Sequence, residues 1–145
     1  MLKSCFLVNE AATIKAGQIL AKNLERGRIV LLNGPLGIGK STFARAVIRA
    51  LPNLNGVAMV DEIVPSPTYT LVQTYERAVG TVGHFDLYRL NEPEEIWDLG
   101  LEDVLQDGVA LIEWASRLGP LTPKHALTLT FKDQGQGRFL HVLET

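Results

Sequence analysis

The stretch with the densest chemical potential is Gly34-Pro35-Leu36-Gly37-Ile38-Gly39-Lys40-Ser41-Thr42. Its residues 34–41 match the pattern G-x-x-x-x-G-K-[ST] at every fixed position. Gly34, Gly37 and Gly39 permit backbone angles that let N–H groups, those of Ile38, Lys40, Ser41 and Thr42 among them, close around phosphate oxygens. A helix beginning near Lys40 would point its positive end at the same anion. Lys40 is long enough to reach a β- or γ-phosphate, and the Ser41 hydroxyl is a hard oxygen donor of the kind Mg²⁺ accepts.

Phosphate chemistry around Mg²⁺ also needs carboxylates, to hold the metal and to orient water. Two stand at the ends of apolar runs. Glu113 closes Val109-Ala110-Leu111-Ile112-Glu113, and Asp86 closes His84-Phe85-Asp86. Glu113 is the better candidate for the metal side, because four apolar residues precede it. Trp114 follows directly, as an active-site aromatic or as an ordinary core residue. Ser66-Pro67-Thr68-Tyr69-Thr70 lies where a loop sensing a terminal phosphate is expected. A Ser66 or Thr68 hydroxyl there would meet phosphate or metal; the plainer reading is a turn into a strand.

The elements that must position these residues follow from periodicity. Residues 10–26 predict a helix, capped by Asn9, with Ala12, Ala16, Ile19 and Leu20 at helical spacing and Gly27 beyond its end. Arg28 to Leu32 reads as a strand buried on both faces. Lys40 to Leu51 predicts a helix stopped by Pro52. Residues 53–67 look irregular. Tyr69 to Glu76 and Thr81 to Leu87 read as strands joined through Ala78-Val79-Gly80. Residues 92–105 predict a helix broken near Gly100, and Val109 to Trp114 a second buried strand. The final segments are strands at 126–131 and 138–143 about a turn at Gln134–Gly137. This order implies one α/β domain over residues 1–145, a P-loop NTPase fold with a mixed, largely parallel sheet, flanking helices and C-terminal antiparallel strands.

The base and the reaction are narrowed by what is missing. No Asn-Lys-x-Asp guanine-reading motif occurs. The arginines beyond position 50 are only Arg77, Arg89, Arg117 and Arg138, too scattered for the Arg-rich lid of a small-molecule kinase. ATP hydrolysis or ATP-gated binding is therefore favoured over phosphoryl transfer to a small acceptor.

Taken in order, Gly34 to Phe43 (GPLGIGKSTF), Ser66 to Val72 (SPTYTLV), His84 to Leu90 (HFDLYRL) and Ile112 to Trp114 (IEW) resemble the TsaE family, the bacterial ATPase of tRNA threonylcarbamoyladenosine biosynthesis. The resemblance runs over almost the whole chain. It implies an ATPase that is slow alone, needs Mg²⁺, and acts with TsaD and TsaB to permit repeated modification cycles next to the anticodon. The tRNA would be met only indirectly, through the complex. By resemblance Lys40 and the N–H groups around it hold phosphates, Ser41 and Glu113 form the Mg²⁺ site, Asp86 is a second essential acid and Trp114 an active-site tryptophan. Ser66 to Thr70 match the family's switch loop, Thr13 a threonine near the nucleotide base, and Arg138 a basic residue of the last hairpin. Two positions depart from the family: Pro35 stands where Asp is usual, and Ala115 where Pro is usual. The side chain at position 35 is not a metal ligand in the motif, so ATP binding is expected to survive, and Ala115 is expected to loosen the local turn.

The 145 residues are 46% hydrophobic and 21% charged, an ordinary globular composition with enough apolar residues for one core. Cys5 is the only cysteine, which excludes an internal disulfide and cysteine-based zinc sites, and it reads as a small buried residue. No apolar run has the roughly 20 residues of a membrane span, and the first residues lack a secretory apolar core. A cytoplasmic protein without membrane contact is the expectation. His84, His125 and His141 lack metal-ligand spacing and read as core or surface residues. Net charge is −2, unevenly spread: residues 50–113 hold twelve acidic and two basic residues, whereas residues 1–49 hold two acidic and eight basic. The acidic run at 92–107 reads as a solvated helix face or as a docking surface for a basic partner. No basic-aromatic stripe points to direct RNA reading.

Overall fold

The computed structural model describes residues 1–145. In chain order it contains β1 (Cys5–Leu7), α1 (Glu10–Lys22), β2 (Ile29–Asn33), α2 (Lys40–Ala50), β3 (Val72–Arg77), β4 (Gly80–Asp86), α3 (Glu95–Asp98), α4 (Leu101–Asp107), β5 (Gly108–Glu113), a 3-10 segment (Ala115–Leu121), β6 (Leu127–Gln134) and β7 (Gly137–Glu144). The strands make one sheet in the order β1-β7-β6-β2-β5-β4-β3. β2 lies at its centre, parallel to both β5 and β6, and β4 runs parallel to β5. The flanking pairs β3–β4, β6–β7 and β1–β7 are antiparallel. The sheet is thus mixed, with its parallel part at the centre, as expected.

The central strands read as continuous apolar runs because helices or loops cover both faces. On one face α1 and α2 pack over Val30, Leu32, Leu111 and Leu129. On the other, α3, α4 and the 3-10 segment cover Leu31, Phe85, Ala110 and Ile112. Alternate residues of each strand therefore serve different layers. α1 meets α2 closely at Gly17, where a Cβ would lie 2.8 Å from the Cβ of Ala46. Asn9 caps α1 by accepting from the Ala12 N–H at 2.9 Å.

Several boundaries differ from the sequence expectation. α1 stops at Lys22, not at residue 26, and the Gly27 N–H is used across the chain, donating to the Gly108 carbonyl at 2.6 Å. β3 begins at Val72 because residues 67–71 form a turn, closed by Leu71 N–H donating to the Pro67 carbonyl at 2.7 Å. Trp114 leaves the strand: its backbone is left-handed, with φ of 55°. β1 and the 3-10 segment had no periodic signal. Cys5 lies in β1 and is half-buried rather than buried. Ala115, at the family's usual proline position, is buried at the start of the 3-10 segment.

The charge blocks interleave in space. Arg26 pairs with Asp107 at 2.9 Å, and Arg28 with Glu144 at 2.6 Å. Arg77 is buried and bonded to Glu62 at 2.6 Å and to the Ile48 carbonyl at 3.2 Å, which ties the loop after α2 to the sheet edge. Glu92, Glu94, Asp98, Glu102 and Asp103 stay exposed. No helix is long and apolar enough to cross a membrane.

Candidate functional site

The loop between β2 and α2 turns at the C-terminal end of the central parallel strand, where α/β sheets open a crevice. Two of its glycines are required. Gly34 has φ of 146°, and a Cβ there would lie 2.8 Å from the Phe131 carbonyl oxygen; Gly39 has φ of 119° immediately before the first residue of α2. The loop thus delivers Lys40, Ser41 and Thr42 as the first turn of an eleven-residue helix. That turn carries no acidic residue and no side-chain cap, which leaves its N–H groups open to an anion.

Lys40 is nearly buried. Its Nζ donates to the Gly34 carbonyl and, at 2.8 Å, to the Pro35 carbonyl, and stands 4.2 Å from the centroid of the Trp114 ring. Burial pulls its pKa below the ordinary lysine value, while the nearby Glu113 and Asp86 charges push back. The left-handed backbone at Trp114 is what swings its ring off the line of β5 toward Lys40. Tyr88 packs on the same ring, 4.8 Å between centroids.

Glu113 is buried at the end of β5, with both carboxylate oxygens engaged. Oε1 accepts from Ser41 Oγ at 2.8 Å, and Oε2 meets His84 Nε2 at 2.6 Å. Asp86, beside Glu113 in the parallel register, accepts from the Tyr88 N–H at 3.0 Å and from Thr68 Oγ1 at 3.3 Å. Burial lifts the Asp86 carboxyl above the ordinary carboxylate range, the Glu113 charge adding to it, against the hydrogen bonds and His84.

Gly37, Gly39, Lys40, Ser41, Thr42, Thr68, Asp86, Glu113 and Trp114 together line one hollow of about 180 Å³. Leu36 and Tyr88 complete its walls. Ser66 reaches the group only through Thr68, 2.9 Å between their hydroxyls. Four expected residues lie elsewhere, Gly34 among them at the start of the loop. Ile38 turns inward as core, and its carbonyl accepts from Arg138 at 2.8 Å. Arg138 lines a neighbouring hollow of about 360 Å³ on the far side of the loop, between Leu36 and Asp133. Thr13 is fully buried on α1, close behind Gly39, with its hydroxyl donating to the Asn9 carbonyl at 3.4 Å.

The donor set suits Mg²⁺. No group of three or more His, Cys, Asp or Glu side chains converges, so a cation held entirely by protein carboxylates or imidazoles has no place here. A serine hydroxyl against a single carboxylate is the donor pair expected for an ion that keeps its waters and borrows phosphate oxygens.

His84 and Tyr88 were not singled out from the sequence. A usable signal existed: in a strand ending at Asp86, period two puts His84 on the acid's face. The backbone N–H of Tyr88, two residues beyond Asp86, is placed to close a turn on its carboxylate.

Comparison with known proteins shows what the chain is similar to. The family model described as "Threonylcarbamoyl adenosine biosynthesis protein TsaE" matches residues 7–140. A "tRNA threonylcarbamoyladenosine biosynthesis protein TsaE" from Rickettsia felis is 43% identical over 122 residues, covering 84% of this chain and 65% of that protein. The chain therefore spans just under two thirds of that relative's length. The protein of the same description from Rickettsia bellii is 39% identical over 133 residues, covering 91% of this chain and 88% of its own. Among solved structures, Bacillus subtilis YdiB superposes with a TM-score of 0.76 at 26% identity, covering 99% of this chain and 87% of that one.

Proposed function

The chain belongs to the TsaE family, and from that premise we propose that it is a Mg²⁺-dependent, ATP-hydrolysing subunit serving tRNA threonylcarbamoyladenosine modification. The observation that carries the reading is the convergence of Lys40, Ser41 and Glu113 at the mouth of a phosphate-binding loop. The hollow of about 180 Å³ is smaller than the roughly 300–1,000 Å³ of a pocket for a whole small ligand. It takes the phosphate end, and the nucleoside extends over the loop toward Arg138. The Gly37 to Thr42 N–H groups cradle the phosphates and Lys40 adds the positive charge. Ser41 and Glu113 would hold Mg²⁺, which when bound would neutralise phosphate charge. Asp86, whose carboxyl burial makes a better proton acceptor than a carboxylate in water, orients the attacking water from beside Glu113. Water then adds to the γ-phosphorus, the bridging P–O bond breaks, and ADP and phosphate leave.

Against transfer to a small acceptor, two of the four late arginines are committed to the fold: Arg77 to Glu62, and Arg138 to the Ile38 carbonyl. Within the family reading the chain works in the cytoplasm with TsaD and TsaB, touches tRNA only through them, and offers the acidic face of α3 and α4 for docking. The test is reconstitution with TsaD, TsaB and tRNA while phosphate release is followed. The expected outcome is slow release by the chain alone, without any acceptor, and multi-turnover modification only when the chain is present. Modification that cycles equally well without it overturns the reading.

A further inference from the structure

The geometry points to His84 as a positioning residue that holds the Glu113 carboxylate in its metal-binding orientation; this rests on the Mg²⁺–ATP reading above. His84 is fully buried in β4, two residues before Asp86 and on the same face of the sheet. Its Nε2 lies 2.6 Å from Glu113 Oε2, and Glu113 itself is nearly buried. A carboxylate only accepts, so the imidazole proton in this bond sits on Nε2. The other ring nitrogen, Nδ1, is buried and meets no partner. An imidazole placed merely to fill the core would be an expensive choice there, since a buried polar atom without a partner is destabilising. The one bond the ring makes is to Glu113.

The consequence is orientational. Glu113 has three side-chain torsions, and one hydrogen bond from Ser41 leaves its carboxylate free to swing about that contact. The bond from His84 removes that freedom from the opposite side. Oε1 is then presented beside Ser41 Oγ, and a cation entering there meets both donors already in place. Groups that fix a metal-side carboxylate in this way typically contribute 10–100-fold in metal affinity.

The test uses two amides that differ only in reach. In His84→Gln the side-chain amide nitrogen takes roughly the place of Nε2 and can donate to Glu113; in His84→Asn it takes the place of Nδ1 and falls short. Mg²⁺ is titrated against binding of ATPγS by the full chain, and ADP binding in EDTA is measured alongside. The Asn variant is expected to need about 10–100-fold more Mg²⁺, with the Gln variant restored to within about threefold and ADP binding in EDTA unchanged in both. In a Glu113→Gln background, His84→Asn should add no further loss. The inference is overturned if His84→Asn keeps the wild-type Mg²⁺ response, if His84→Gln falls as far as His84→Asn, or if ADP binding in EDTA is lost in step, which marks a packing role. Failure of the wild-type chain itself to bind ATPγS in a Mg²⁺-dependent way would instead remove the reading on which the inference stands.

Discussion

The Lys40 ammonium lies 4.2 Å from the centroid of the Trp114 ring, although 74 positions separate the two residues in the chain. It is held there by the Gly34 and Pro35 carbonyls beneath it. A nucleotide phosphate must draw the ammonium out of this seat, so the tryptophan ring should report its arrival. In a Trp97→Phe chain, where Trp114 is the remaining tryptophan, ATP with Mg²⁺ is expected to change the emission. Lys40→Ala should abolish that change. An emission unaltered at saturating ATP would show that the ammonium stays on the ring.

Loss of the ammonium should weaken ATP binding itself. Lys40→Ala is expected to reduce affinity about 100-fold, corresponding to ~3 kcal/mol for removing one member of a buried charge pair. Calorimetric titration checks it, and affinity and turnover equal to wild type would sink the phosphate-loop assignment.

Glu113 separates metal from nucleotide. Glu113→Gln keeps the size of the side chain and removes its charge, so Mg²⁺-dependent phosphate release should fall by about 100-fold or more. ADP binding in EDTA should stay within about threefold. Equal losses in both measurements would point to a damaged fold.

Asp86 should trade stability for activity. Its pKa is raised in the folded state, so ionisation opposes folding: the stabilising protonated form prevails at low pH and is lost as pH rises through the folded-state pKa. At pH 7 Asp86→Asn removes the buried charge while its amide still faces Thr68 and its oxygen the Tyr88 N–H. The melting temperature is expected to rise by about 2–4 °C, with phosphate release lost. A lower melting temperature at pH 7 would contradict the account of its burial.

The Arg77–Glu62 pair anchors the segment between α2 and the turn that Leu71 closes on Pro67. Arg77 is 4% exposed, so Glu62→Ala strands a buried cation and should lower stability by about 3 kcal/mol. Arg77→Met, which removes the charge and fills the space, should be markedly milder. Chemical denaturation of the two variants measures the difference, and equal losses would mean that packing, not the stranded charge, dominates.

Much of this site could be read along the chain because its parts are local. The Asn9 cap, the positive-φ turn at Gly39, the break at Gly100 and the apolar runs of β2 and β5 each carry a signal within a few residues, whereas the crowding of Gly34 against the Phe131 carbonyl does not. Asp86 and Glu113 could be picked out because each ends such a run. Partners distant in sequence left little trace. β1 is three residues long and exists through its register with β7, Cys5 opposite Leu140. Tyr69 to Leu71 have strand-forming side chains, yet the Leu71 N–H closes a turn onto the Pro67 carbonyl, and pairing with β4 starts only at the Leu71 carbonyl, which accepts from the Asp86 N–H.

The same division runs through the chemistry. Residue types and spacing alone pointed to a phosphate loop with a lysine and a hydroxyl, since backbone conformation and donor identity there are encoded within one turn, and to two acids at the ends of apolar runs. What the folded sheet added is which groups face one another. Parallel pairing of β4 with β5 brings Asp86 level with Glu113 and lays His84 against Glu113. The left-handed bend after β5 carries Trp114 over Lys40. Such contacts join segments tens of residues apart, and their energies depend on burial and orientation, which exist only once the layers have closed around them.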